Sequence, residues 1–400
     1  MKSTPRSIQR ILLAGNDRDD VRRGVCDYAQ MAGWVVILGE PPKDQPRRTA
    51  EFWSVAGIIV KSVNSDNRPW ISTRLPVIGL GPHLKGGIMV APDDCAVGHL
   101  AAEHFVEERF THLAYCYVGD FLWVNQQRAG FEKAARQAGK QFHLLDWPAS
   151  RPARHGYSSR AFRHWLAGEL AARPKPLGLL LDSDWTAVDA LDACMEAGLA
   201  VPEEVALIGV GDCLEICRAT PVPLSSVRVD GYRQGYRAAE LLDERMSGRH
   251  IPRQHVLIPP SGISVRQSSN IIAVPHLPTA RALRYIWDHL ADSALTSDEV
   301  SAAVGLSRRS LDMYFIKHLG RPVAREISEA RLTQARILLD TTNMPLAQIA
   351  RETGFSCALH LRRTFNRSQS QPLHRWRKEA RAASAQQEAQ APEPLPPPVR

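Results

Sequence analysis

TSDEVSAAVGLSRRSLDMYFIKHLG, residues 296–320, and PLAQIARETGFSCALHLRRTFNR, residues 345–367, are two versions of one pattern set 49 residues apart. In the first, Thr296 or Ser297 caps a short helix and Glu299 supports its first turn. Val300, Ala303 and Val304 fall on its inner face. Gly305 permits the positive φ of a tight turn. Ser307 then caps a second helix, along which Leu311, Phe315 and Leu319 recur at helical spacing. In the second version Leu346, Ile349 and Ala350 face inward, and Gly354 turns the chain. Ser356 caps a helix with Leu361 and Phe365 inward. Helix, glycine-containing turn and capped helix make a helix-turn-helix. One such hairpin says little, because αα-hairpins are common. Two, joined by the helical run REISEARLTQARILLDTT, say much more.

The second helix of such a unit fits the major groove of DNA, where its outward face meets base edges. In the first unit that face is Arg308, Arg309, Asp312 and Met313; in the second it is Ala358, His360, Arg362 and Arg363. An Arg forks onto guanine, an Asp accepts from cytosine, and a Met contacts a thymine methyl. Phosphate contacts fall to Lys317 and Arg367, with Arg375, Arg377 and Lys378 further along. Charge agrees. Residues 271–400 hold 18 basic against 12 acidic side chains, whereas residues 1–270 hold 32 against 30. The segment 356–381 alone has seven basic residues and one acidic, Glu379. A basic module on a neutral one suggests a polyanion partner, although a solvated basic face carries the same charges. Trp376 reads as core rather than as a stacking platform.

The remaining 270 residues read differently. At roughly 100–200 residues per domain, a chain of 400 holds two or three. Short apolar runs recur at Ile11–Ala14, Val35–Leu38, Gly57–Val60, Val77–Leu80, Leu113–Val118, Leu177–Leu181 and Val205–Val210. Each is rich in Val, Ile and Leu and bounded by turn residues, like strands buried on both faces of a parallel sheet. Amphipathic stretches lie between them: Val21–Met31 after Asp20, Cys95–Glu108, Thr186–Ala197 ending at Gly198, and Gly231–Met246 ending at Gly248. This alternation implies a doubly wound α/β arrangement. So many strands fit two lobes better than one sheet. Residues 8–107 would make the first, residues 110–225 the second, and PVPLSSVRVD (221–230) would return the chain to the first. Strand carboxyl ends would then face each other across a cleft.

Several classes fall away. Seven scattered cysteines without a CxxC pair read as buried free thiols, not as a disulfide framework or zinc site. No GxSxG, GxxxxGK[ST] or HExxH occurs, and His99 and His104 are five apart rather than four. No enzyme, metal or cofactor is expected. The opening MKSTPRSIQRILLAGNDRDD offers too short an apolar stretch for a signal peptide, and no run reaches membrane-helix length. A cytoplasmic location without membrane contact is expected.

Three segments, VAPDDCAVGHLAAEHFVEERFTHLAY (90–115), LLLDSDWTAVDALDACMEAGLAVPEEVALIGVGD (179–212) and PLSSVRVDGYRQGYRAAELLDERMSG (223–248), resemble the sensing domain of LacI-type repressors. RLTQARILLDTT, LAQIARETGFS and the helix ending in TFNR resemble the AraC/XylS family. The order of the two resembles the xylose operon regulators. The resemblance implies an α/β two-lobed periplasmic-binding-protein-like domain followed by an all-α double helix-turn-helix domain. It implies double-stranded DNA and a small neutral effector, a sugar such as a pentose, as partners, and a homodimer. It places the effector site at Asn16 and Asp17 after the first strand, at Trp123 for ring stacking, and at Asp184. The family sets an Arg four residues before a helix aromatic; here that aromatic is Phe131, so the place holds Gln127, with Arg128 next. After VALIGV the family sets an Asp; here Gly211 stands there, with Asp212 next. These departures leave open a DNA-binding regulator whose cleft takes a non-sugar ligand or none. A small-molecule enzyme or binding protein is the alternative of another class. The expected limits are a sensing domain over 1–270, a linker over 271–279, a DNA-binding domain over 280–382 and a disordered, proline-rich tail over 383–400.

Overall fold

The computed structural model describes residues 9–15, 18–39, 54–61, 75–81, 87–150, 158–252, 255–271, 273–342, 344–368 and 372–377. Contacts divide the chain into two compact units, Met1–Asn270 and Ile271–Arg400.

The first unit holds two six-stranded sheets. One contains β1 (Arg10–Ala14), β2 (Val35–Leu38), β3 (Gly57–Lys61), β4 (Val77–Leu80), β5 (Ile88–Pro92) and β11 (His255–Ile258), in the order β11-β5-β4-β3-β1-β2. The other contains β6 (His112–Tyr117), β7 (Gln141–Asp146), β8 (Leu177–Leu181), β9 (Val205–Val210), β10 (Ser225–Val227) and β12 (Ile263–Ser264), in the order β12-β10-β9-β8-β6-β7. Every described pairing is parallel except β10 with β12. All seven apolar runs are strands. Five strands escape the apolar-run rule because polar or proline residues interrupt them, as in SSV and QFHLLD, or because they are very short, as in β12.

The chain passes between lobes earlier than residue 107. Helix α1 (Asp19–Ala32) belongs to the first lobe, but α2 (Asp94–Glu107) packs against α3 (Leu122–Gln137) on the second. The crossing is therefore at Pro92–Asp93, where Asp93 caps α2 by accepting from Ala96 N at 2.9 Å. The second lobe continues with α4 (Trp147–Ser150), α5 (Ser159–Ala171), α6 (Asp184–Glu196) and α7 (Leu214–Arg218). As the sequence predicts, the segment after β10 returns the chain to the first lobe, where α8 (Gly231–Met246) packs on α1. A third crossing follows β11, and β12 closes the second sheet.

Each lobe is pinned by one helix pair that approaches to backbone contact. In the second, a Cβ on Gly98 of α2 would stand 1.9 Å from the Gln127 carbonyl oxygen, and one on Gly130 of α3 would stand 2.0 Å from that of Cys95. In the first, Gly24 meets Tyr232 O and Gly235 meets Val21 O, both at 2.1 Å. Only glycine admits such reciprocal contact. Behind these pairs lie cores built around Phe162, Leu166, Leu179 and Leu207 in the second lobe and Ile11, Val25, Ile59 and Leu242 in the first. Three cysteines are buried and four (Cys26, Cys95, Cys213, Cys357) are exposed, all free, so the expectation of buried thiols holds only in part.

The second unit is helical in its described residues: α9 (Leu277–Asp288), α10 (Ser297–Ala303), α11 (Arg308–Leu319), α12 (Val323–Thr341), α13 (Leu346–Glu352) and α14 (Ala358–Ser368). The first helix begins three residues before Ala280, because Pro278 sits in its first turn, where a missing N–H costs nothing. Thr296 and Glu299 form a full capping box, and Ser307 caps α11 through Ser310 N. Ala303 is exposed, not inward; Val300, Leu311 and Phe315 are fully buried. Leu361 and Phe365 of α14 join Ile349, Ala350 and Leu339 in a second small core, with Trp376 edge-on to Phe365. Residues 383–400 lie outside the described residues.

Replacing Gly98 by Ala should cost about 3 kcal/mol of stability, because the helix backbones must part. Gly168→Ala, on an exposed face of α5 with open space around it, should instead stabilise by up to about 1 kcal/mol. Thermal denaturation of both variants checks this; equal effects would remove the close crossing as a structural determinant.

Candidate ligand cleft and nucleic-acid interface

A cavity of about 480 Å³ lies between the two lobes of the first unit. Its walls come from strand carboxyl ends, as expected for open α/β sheets. Lys61, Leu80 and Pro92 end β3, β4 and β5, while Asp182 and Ser183 follow β8 and Gly211 follows β9. Arg18, Val229 and Gln234 complete the first-lobe wall; Asp94, Phe121, Trp123 and Gln127 complete the second. Phe121 and Trp123 stack with centroids 5.8 Å apart and planes 6° from parallel.

The helix crossing brings Asp94 and Gln127 together. Gln127 Nε2 donates to Asp94 Oδ1 at 3.0 Å, and Tyr115 Oη donates to Gln127 Oε1 at 3.2 Å. Gln127 thus lines the cavity, but at 2% exposure its amide serves chiefly to hold Asp94. Burial pushes the Asp94 carboxyl up to about 7, with the neighbouring Asp93 adding to the rise and the Gln127 hydrogen bond opposing it. Burial also raises Asp182, against the hydrogen bonds it accepts. Arg18 is already committed: it forks onto Asp20, Nε to Oδ1 at 3.1 Å and Nη2 to Oδ2 at 2.5 Å.

Of the effector residues read from the sequence, Trp123 and Gln127 reach the cavity. Arg128, Asp184 and Asp212 are not on its described wall. Asp184 is turned into the second lobe, accepting from Ser226 Oγ at 2.5 Å and from Cys213 N at 2.8 Å. Ser183, not Asp184, caps α6. Asp212, at φ +57°, pairs with Arg266 at 2.6 Å and accepts from Ser264 Oγ at 2.6 Å, fastening β12 beside β10. Asn16 and Asp17 lie outside the described residues. Sequence reading missed Asp94, Asp182, Arg18, Lys61 and Gln234. The DSD after LGLLL carries the one signal in the sequence, and it is the first Asp of the pair, not the second, that reaches the cavity.

On the second unit, Arg309, Met313 and Lys317 of α11 are exposed, as are His360, Arg362, Arg363 and Arg367 of α14; Ala358 is half-buried. Arg308 pairs with Asp298 at 3.2 Å, both exposed. Asp312 is otherwise engaged. Its Oδ1 accepts from Val323 N at 3.0 Å, satisfying the start of α12, which lacks a side-chain cap of its own. It is thus a helix-end acceptor rather than a free base reader. Ile316 and Leu359, unpredicted, are exposed apolar residues on the same two helices. At the start of α14 the Cys357 carbonyl accepts Leu361 N, so Cys357 takes the cap position; Ser356 Oγ meets His360 Nδ1 instead. The backbone N–H of His360 holds the exposed Cys357 thiol below its ordinary range. Arg377 is drawn to the Met344 carbonyl, and Lys378 lies outside the described residues.

Comparison with known proteins fits this division. A periplasmic binding protein-like domain matches residues 102–269 and a helix-turn-helix domain matches residues 300–379. The xylose operon regulatory protein of Escherichia coli (strain K12) is 25% identical over 365 residues, 87% of this chain and 90% of that protein. The chain is a homologue of the xylose operon regulatory proteins. The arabinose operon regulatory protein of the same strain is 40% identical over 86 residues, 22% of this chain and 30% of its own length. The structure of a xylose-binding transcription activator superposes with a TM-score of 0.67 at 22% identity, over 94% of this chain and 99% of that one. The fold is thus a two-sheet periplasmic-binding-protein-like domain followed by a helical helix-turn-helix domain. The homologues are operon regulators rather than enzymes. Among the described residues no helix is long and apolar enough to cross a membrane, and no cluster of three or more metal-ligating side chains occurs.

The raised Asp94 carboxyl fixes a pH dependence. The folded state binds this proton up to about pH 7, the unfolded state only to about 3.8. Folding therefore loses stability as pH rises through that window. Asp94→Asn should remove the loss: its gain over wild type should be small near pH 4 and grow to a few kcal/mol near pH 8. Denaturant titrations at both ends check this, and a gain independent of pH would show that Asp94 is ionised throughout.

Proposed function

We propose that the chain is a sequence-specific DNA-binding transcription regulator controlled by a small neutral ligand of the sugar class held between its lobes. The observation that carries the DNA reading is the pair of capped helices α11 and α14. Each buries a Leu and a Phe and turns exposed arginines outward. Arg308, Arg309 and Met313 on one, and Ala358, His360, Arg362 and Arg363 on the other, are the proposed base-facing set. Lys317 and Arg367 are proposed to meet phosphate. Ile316 and Leu359 add apolar surface suited to thymine methyls.

The cleft supports a neutral ligand. Its wall joins a stacked aromatic pair, which can cover the apolar face of a sugar ring, to acids and amides that accept and donate to hydroxyls. The similarity to a xylose-binding transcription activator makes xylose the class to try first. Binding would favour one lobe arrangement over another, and the difference in affinity is all that can drive a switch. We further propose a cytoplasmic homodimer. Trp185, 73% exposed at the start of α6, and the exposed Leu214 of α7 are apolar groups that a second copy would cover.

Fluorescence anisotropy with promoter fragments at two salt concentrations tests the DNA reading. Arg309→Ala and Arg363→Ala should each weaken specific binding by about 1–3 kcal/mol, while Lys317→Ala should lower affinity on all sequences and flatten the salt slope. Specific binding untouched by both arginine changes would refute the assignment. Sedimentation of wild type and Trp185→Glu tests the dimer: the variant should shift to monomer, and an unchanged sedimentation profile would exclude that face.

A further inference from the structure

Asp182 is 3% exposed on the cleft wall, directly after β8. Val118 N–H donates to its Oδ2 at 3.1 Å, and the Ser183 and Thr186 donors stand close enough to the carboxyl to oppose the effect of burial, yet its Oδ1 is buried with no partner in hydrogen-bond geometry. A buried carboxylate oxygen left without a well-aligned donor is costly, and folds keep such groups chiefly at functional sites. Arg18 on the same wall is spent on Asp20 and the Val229 carbonyl. The neighbouring strand end offers no acid. Gly211, after β9, sits at φ +128°, and a Cβ there would stand 3.2 Å from Asp184 Oδ2. A side chain at 211 is therefore strained and crowded. The adjacent strand end is where this fold can place a carboxylate.

We propose that Asp182 is the specificity-determining acceptor of the cleft, and that with Asp94 it selects an uncharged ligand presenting at least two hydroxyl donors and refuses anionic ones. The proposal rests on the reading of the cleft as a ligand site. Phe121 and Trp123 would cover the apolar side of such a ligand, while Asp182 Oδ1 and the Asp94 carboxyl take its hydroxyls. Hydroxyl donors favour the ionised carboxylates, so binding releases protons and tightens as pH rises from about 6 to about 8. Among the described residues, the other ionisable groups at or beside this wall include Arg18 with its partner Asp20, Lys61, Asp93, Asp184 against Gly211 and, behind Gln127, Tyr115.

Isothermal titration of the full-length chain tests this. The neutral probes are D-xylose, D-glucose and ribitol; the anionic ones are D-ribose 5-phosphate and D-gluconate. A neutral probe should bind more tightly than either anion. Asp182→Asn should weaken it by about ten- to a hundredfold, since one charged acceptor is lost. The same variant should leave the ligand-free thermal midpoint unchanged or higher, because Asn still accepts from Val118 and carries no buried charge. A merely structural acid would lower that midpoint instead. Asp182→Ser serves if the first variant fails to fold. Asp94→Asn should flatten the pH dependence of affinity. Unchanged affinity in Asp182→Asn, or tighter binding of an anion, overturns the proposal alone. Failure of every probe to bind wild type removes the cleft reading and the proposal with it.

Discussion

The close crossing of α2 and α3 governs the first unit. Gly98 and Gly130 each accept the other helix's backbone where a side chain would otherwise stand. That contact fixes how Asp94, at the start of one helix, meets Gln127, midway along the other. Any residue larger than glycine would separate the helices and part the pair, because close-packed interiors transmit rather than absorb such shifts. The first lobe repeats the device at Gly24 and Gly235, which hold α8 against α1 after the chain has returned from the second lobe. Each lobe thus rests on two such backbone contacts, and the cleft lies between the lobes.

Within that frame the polar groups divide by what they are tied to. Asp184 and Asp212 are fully engaged inside the second lobe, with Ser226, Cys213, Arg266 and Ser264. They hold the loop after β9 and the closing strand β12. Asp94 and Asp182 are buried at a cost that internal partners only partly offset, and both face the cavity. Preorganised but incompletely satisfied acceptors are what a binding site needs, since their cost is removed by a ligand and not by water. The second unit follows the same logic at its surface. Leu311, Phe315, Leu361 and Phe365 bury one side of each outer helix, leaving arginines on the other.

Much of this was legible in the sequence. Seven strands announced themselves because both their faces are buried, giving unbroken apolar runs. The paired helix-turn-helix pattern was legible because caps, glycines and helical spacing all agreed. What escaped was set by tertiary contact. The strands SSV and QFHLLD carry polar residues whose partners lie far along the chain, such as Ser225 with Ser268 and Arg266. Asp184 and Asp182 are two residues apart, and nothing local says which turns toward the cavity. Asp312 lies on the predicted outer face of its helix, yet the start of the next helix claims it. The glycine crossings left one faint trace, single glycines inside helical runs.

A ligand cleft and a pair of arginine-bearing outer helices share one chain, and the proposed switch requires coupling between them. The most direct measurement is the affinity of the full-length chain for a promoter fragment, with and without a saturating neutral sugar whose binding raises the melting temperature. Coupling of ordinary strength should change DNA affinity by at least about fivefold. A sugar that demonstrably binds the cleft and leaves DNA affinity unchanged would contradict it.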